Sequence, residues 1–76
     1  MSSSPEDVLG AVQTLVYRGE PGTTDAVAGE LATTRDDVAP VLVAVMRRGG
    51  LQSVKHPDGP SVWVLTRDGE RAIADA

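Results

Sequence analysis

The residues able to do chemistry are few and mostly cationic. Arg35, Arg47, Arg48 and Lys55 gather in residues 34–56, where only Asp36 and Asp37 oppose them and the local net charge is +2. Guanidinium and ammonium groups at this density suit pairing with phosphate oxygens. Thr33 and Thr34 stand just ahead of Arg35, and His56, the one histidine, follows Lys55. The flanks are acidic. Residues 1–33 set Arg18 against Glu6, Asp7, Glu20, Asp25 and Glu30, a net −4, and residues 57–76 are net −2. Seven basic and eleven acidic residues give the whole chain −4. That balance counts against a partner held by phosphate contacts alone and keeps a protein partner open.

Other chemistries lack their residues. The chain has no cysteine, so disulfides, thiolate zinc sites and cysteine nucleophiles are excluded, and a cytoplasmic setting is expected. One histidine without cysteine makes no zinc site, and no acidic residues stand at ligand spacing, so neither a metal nor a cofactor is expected. No hydroxyl nucleophile has a nearby base, so the chain is not read as an enzyme. Gly59 and Gly69 are read as turn geometry, not as a phosphate loop. The longest apolar run, Val41 to Met46, is far short of the roughly 20 residues that span a bilayer. The opening Met1-Ser2-Ser3-Ser4-Pro5 lacks an export pattern, so no membrane role is expected. At 76 residues the chain is one domain, 1–76, with an aliphatic core that contains no phenylalanine.

The elements that must position the cations follow from periodicity and capping. Pro5, with Ser4 as cap and Glu6 and Asp7 in the first turn, opens a first helix over 5–18, with Val8, Leu9, Val12, Leu15 and Val16 as its apolar stripe. Gly19, Pro21 and Gly22 end it. Thr23 or Thr24 caps a second helix that carries Val27, Ala28 and Leu31 and ends near Ala32. Thr34-Arg35-Asp36-Asp37 reads as a capping box for a third helix running to about Arg48, so capping is preferred over a site role for the two aspartates. Pro40 implies a tight or kinked first turn, and Gly49-Gly50 supplies the left-handed stop. Leu51 to Lys55 and Ser61 to Leu65 alternate as a hairpin around His56-Pro57-Asp58-Gly59-Pro60. Trp63 alternates against Val62 and Val64; it is read as covering the core, with an exposed partner-binding anchor as the other reading. Thr66 caps a final helix whose apolar side holds Ala72, Ile73 and Ala76.

Two stretches carry a family resemblance. Ala28-x-x-Leu31-x-x-Thr34-x-x-x-Val38-x-x-x-Leu42 resembles the helix-turn-helix pattern, with Ala32 where many members place a turn glycine. Val64-Leu65-Thr66-Arg67-Asp68-Gly69 resembles the Leu-Thr-x-x-Gly segment that closes the wing in PadR-like and MarR-like bacterial transcriptional regulators. Pro40-Val41-Leu42 and Gly49-Gly50-Leu51 are similar to the PadR-like third helix and its exit, with one residue more between them. The resemblance implies an α+β winged helix-turn-helix fold of three helices, a hairpin wing and a short last helix.

It also implies that the third helix enters the DNA major groove while the wing tip touches backbone or minor groove. Val38, Val41 or Leu42, and Val45 then face inward. The candidate DNA contacts are Thr33 and Thr34 toward phosphate, Arg35, Ala39, Val43 and Arg47 on the outer face, and Lys55 and His56 on the wing. With so few cations a monomer is expected to bind double-stranded DNA weakly; useful specificity would need a homodimer, and any such dimer would have to use the first or last helix. Asp36 and Asp37 at the amino end of the third helix favour the alternative, an acidic winged helix module that docks a peptide or partner subunit instead of DNA.

Overall fold

Ser4 and Asp7 exchange side-chain hydrogen bonds with each other's backbone amides, and this capping box starts α1 (Pro5–Tyr17) in the computed structural model, which describes residues 3–74. α2 (Thr24–Glu30) follows, capped by the Thr23 hydroxyl, which accepts from the Ala26 amide at 3.1 Å. α3 (Arg35–Arg47), an antiparallel hairpin of β1 (Leu51–Val54) and β2 (Val62–Leu65), and α4 (Arg67–Ala74) complete the order. This is the α+β winged helix-turn-helix arrangement. Ala76, expected on the apolar side of the last helix, lies outside the described residues.

The three α1–α3 helices pack around Val8, Val12, Leu15, Val27, Val38 and Leu42, all at most 2 % exposed. Each such aliphatic side chain contributes on the order of 2 kcal/mol. Ala28 is also buried, and its small side chain lets α2 and α3 cross closely. The first helix departs from its expected stripe in two places: Ala11 turns inward at 4 % exposure, and Val16 in the last turn is 55 % exposed beside the open Tyr17.

All three helices stop in the same way. The residue after each carboxyl cap adopts a left-handed backbone: Gly19 (φ 72°), Ala32 (φ 54°) and Gly49 (φ 86°). Its amide, and the next one, then turn back onto the last carbonyls, as in Gly49 N to Met46 O (3.0 Å) and Gly50 N to Val45 O (3.0 Å). Ala32 does with a methyl group what glycine does at the other two stops. Pro40 neither ends nor interrupts α3, and only the tight-turn expectation appears, in the Asp37 amide donating back three residues to the Thr34 carbonyl at 3.1 Å.

The hairpin strands are each one residue shorter than their alternation predicts, with Lys55 and Ser61 belonging to the wing loop. Register pairs Leu51 with Leu65 and Ser53 with Trp63, so Leu51, Trp63 and Leu65 share the face turned to the core and the valines take the other. Trp63 therefore covers the core, and its indole N–H donates to the Thr24 hydroxyl at 3.0 Å. The Trp63 amide donates to the Gly22 carbonyl at 2.7 Å, which ties the outer edge of β2 to the loop before α2.

The Leu-Thr-x-x-Gly segment is explained at the base of the wing. The Thr66 hydroxyl donates to the Gly49 carbonyl and accepts from the Gly69 amide (3.1 Å), and the Thr66 amide donates to the Gly50 carbonyl (3.3 Å). A β-carbon on Gly69 would lie 2.0 Å from the Gly50 carbonyl oxygen, so nothing larger than glycine fits. Gly69→Ala should cost about 3 kcal/mol or more, lowering the melting temperature by more than about 10 °C; a melt like that of the wild type would show the contact to be dispensable. Ala32→Gly should act in the opposite sense. It relieves a left-handed alanine, offset in part by greater freedom in the unfolded chain, for a net gain of about 0.5–1 kcal/mol readable as a higher melting temperature.

Candidate nucleic-acid interface

α3 is held by its inner side and open on its outer one. Val38, Leu42 and Val45 are buried, and Val41 and Met46 pack partly against them. The open ridge runs through Asp36, Pro40, Ala44 and Arg47, spaced four, four and three residues apart, with Arg35 and Arg48 also exposed. Ala39 and Val43, expected on the outer face, are half-buried at its margins. Pro40 and Ala44 were not among the expected contacts. Their signal is the helical spacing from Asp36, which becomes readable once Leu42 rather than Val41 is known to point inward.

The amino end of α3 is a compact hydroxyl and carboxylate cluster. The Thr34 hydroxyl oxygen accepts from the Asp37 amide at 3.3 Å and caps the helix. The Asp37 carboxylate does not return to the cap residue as the expected box would have it. Its Oδ2 instead accepts from the Ser3 hydroxyl (2.9 Å) and the Thr33 hydroxyl (3.0 Å). These hydrogen bonds, Ser3 first and then Thr33, hold the Asp37 carboxyl below the usual carboxylate range. The Thr33 hydroxyl hydrogen is thus committed, whereas Thr34 keeps its own free to donate.

The cations divide between two sides of the molecule. Arg35 stands 3.9 Å from the Asp25 carboxylate, with both side chains mostly in water, a weak pairing. Together with Thr23, Thr24, Pro60 and Ser61 these two residues line a cleft of about 270 Å³ between α2, α3 and the end of the wing loop. Arg47 is exposed near the other end of the ridge, and among the described residues neither it nor Lys55 enters an ion pair. Lys55 and His56 are exposed on the wing, where His56 and Asp58 border a cleft of about 240 Å³ shared with Pro21 and Val62. Arg48 is turned the other way, into a cleft with Glu6 and Asp68 between α1 and α4. Arg35 therefore faces the wing, Thr34 and Arg47 are exposed near the two ends of α3, and Arg48 faces α1 and α4.

Among the described residues no group of histidine, aspartate or glutamate could hold a metal ion, and no helix is long and apolar enough to cross a membrane.

No protein-family model and no curated protein sequence matches the chain. Among solved structures, it is similar to the PcaV transcriptional regulator from Streptomyces coelicolor, determined in complex with its natural ligand, with a TM-score of 0.72 and 29% sequence identity. The likeness covers 96% of this chain and 51% of that one, so the chain spans about half the length of the regulator it resembles. PcaV is a winged helix regulator of the MarR family, and the winged helix resemblance read from the Thr34 and Gly69 segments holds in three dimensions.

The Asp37 cluster makes stability depend on pH in a defined direction. Because folding holds this carboxyl below its ordinary value, the stability it contributes is present in full above about pH 4 and is lost as pH falls through the lowered value. Thermal melts between about pH 6 and pH 3 should therefore fall more steeply for the wild type than for Asp37→Asn; parallel curves would show that the cluster is not formed in solution.

Proposed function

We propose that this chain is the DNA-binding domain of a bacterial, cytoplasmic transcriptional regulator, with α3 in the major groove and the wing on the neighbouring backbone. The observation that carries the reading is the two-sidedness of α3, whose inner face is sealed into the core while the Asp36, Pro40, Ala44 and Arg47 ridge stands open. A helix presented this way can enter a groove without unfolding anything. The likeness to a transcriptional regulator over almost the whole chain supports it.

In this reading Arg35 and Arg47 reach phosphates or base edges near the two ends of the helix. Ala44, with Val43 beside it, offers methyl groups to thymine, Thr34 donates to phosphate, and Lys55 with His56 follows the backbone from the wing. Ala39 and Thr33 play lesser parts, the first half-covered and the second already bonded to Asp37. A homodimer would form through α1, where Val16 and Tyr17 are open, or through α4. No catalytic role and no cofactor is assigned.

A protein-docking module remains the second reading, and the exposed Asp36 on the ridge together with the net charge of −4 favours it. Residue-resolved NMR titration with mixed-sequence duplex DNA separates the two. Three phosphate contacts, from Arg35, Arg47 and Lys55, give a salt slope of about −2.7, so binding should weaken about 40-fold between about 50 and about 200 mM salt. Amide shifts at Thr34, Arg35, Arg47 and residues 55–59 that fade over that range are expected. A spectrum unchanged by DNA at about 50 mM salt would overturn the DNA reading and leave the protein partner.

A further inference from the structure

We infer that the cleft between α2, α3 and the end of the wing loop at Pro60 and Ser61 is a seat for one backbone phosphate of DNA, and that Asp25 occupies its cationic wall as a built-in competitor. The inference rests on the DNA-binding reading and adds residues and a sign to it. Three features of the cleft carry it. First, Arg35 supplies a guanidinium that is only loosely engaged, 3.9 Å from Asp25 with the side chains 67 % and 75 % exposed. A pair of this kind exchanges partners readily, and a phosphodiester oxygen offers the guanidinium a better two-point geometry.

Second, the Thr24 hydroxyl is oriented by the body of the protein. Its oxygen accepts the Trp63 indole hydrogen at 3.0 Å, so its own hydrogen is free to donate to an anion. Trp63 is fixed in turn by its amide bond to Gly22, which makes this donor part of the wing anchor and not a free rotor. Third, Ser61 brings a second hydroxyl from the wing side of the same cleft, which at about 270 Å³ admits a phosphate with its attached sugar edges and little more. One guanidinium and two hydroxyls from α3, α2 and the wing would then converge on one phosphate, with Asp25 the single group there that repels it. In the free protein Asp25 holds Arg35; on DNA the two negative groups compete for it.

This competition predicts a gain of function. Fluorescence anisotropy with a labelled mixed-sequence duplex at about 50 mM salt should show Asp25→Asn binding about fivefold tighter than wild type. Glu70→Gln, the same charge change on α4 away from the cleft, should gain less than about twofold. Ser61→Ala should lose about two- to fivefold, and Arg35→Gln should reduce the salt slope by about 0.9. Equal gains for Asp25→Asn and Glu70→Gln, with Ser61→Ala at the wild-type value, would overturn the phosphate seat while leaving DNA binding intact. Failure of every protein to bind the duplex would overturn the DNA reading and the seat with it. Inorganic phosphate at matched ionic strength should leave the Ser61 and Asp25 amides unmoved; saturable shifts there would assign the cleft to a free phosphate and overturn the backbone assignment.

Discussion

The Gly50 carbonyl lies where any side chain at position 69 would have to be, and four elements are arranged around that approach. α3 ends at it, β1 leaves from it, β2 returns to it through Thr66, and α4 begins over it. Thr66 makes the junction self-consistent, since its hydroxyl both donates to the Gly49 carbonyl and accepts the Gly69 amide. One carbonyl just past the end of α3 and an orphan amide at the start of α4 are satisfied by a single side chain. A hairpin of two four-residue strands has little stability alone. Here it is pinned at its base to the stop of α3 and along its outer edge to Gly22 and Thr24 by Trp63. Wing and third helix are in consequence one body, and only residues 55–61 project from it.

Most of this was legible because it is local. Caps at Ser4, Thr23 and Thr34, the stops at Gly19 and Gly49, and the hairpin turn are set by residues within a few positions of one another, where side-chain chemistry and sequence order coincide. The Leu65-Thr66-x-x-Gly69 resemblance was also legible as a pattern, but its reason was not, because Gly50 is 19 positions away from the glycine it demands. The same limit applies to the candidate site. Asp37 takes a hydrogen bond from Ser3 across 34 positions, a pairing for which a capping-box pattern carries no signal. The outer margin of α3 lies a fraction of a turn from where the apolar pattern alone puts it. With Val41 and Leu42 equally apolar, the sequence leaves the helix free to rotate between them, and Ala39 and Val43 exchange roles with Pro40 and Ala44.

The electrostatics resolve part of the tension between an acidic chain and an anionic partner. A part of the negative charge is engaged within the protein. Glu20 and Glu30 both hold Arg18 across the ends of α1 and α2, with Glu30 foremost in keeping its guanidinium protonated, and Asp37 is wrapped by hydroxyls. What remains around the α3 ridge is a near balance: Arg35, Arg47 and Lys55 against Asp25, Asp36 and Asp58. A surface in near balance does not attract DNA over long range, because the fields of the opposing charges cancel at distances beyond their spacing. It can discriminate at short range, where a guanidinium meets a phosphate or a carboxylate fails to.

That balance bears on assembly. Under the DNA reading one domain has three cations on the α3 and wing side, too few for tight binding at physiological salt. Two domains joined at fixed spacing would add their phosphate contacts, and the second would bind at an effective concentration set by the joint. The chain spans about half of the regulator it resembles, and the last turn of α1 carries an open Val16 and Tyr17. Weak single domains whose charges nearly balance on the α3 and wing side suit such pairing. A strongly basic domain would hold any DNA alone, whereas one that binds usefully only as a pair makes affinity depend on the geometry between the two copies, and anything that alters that geometry then alters binding.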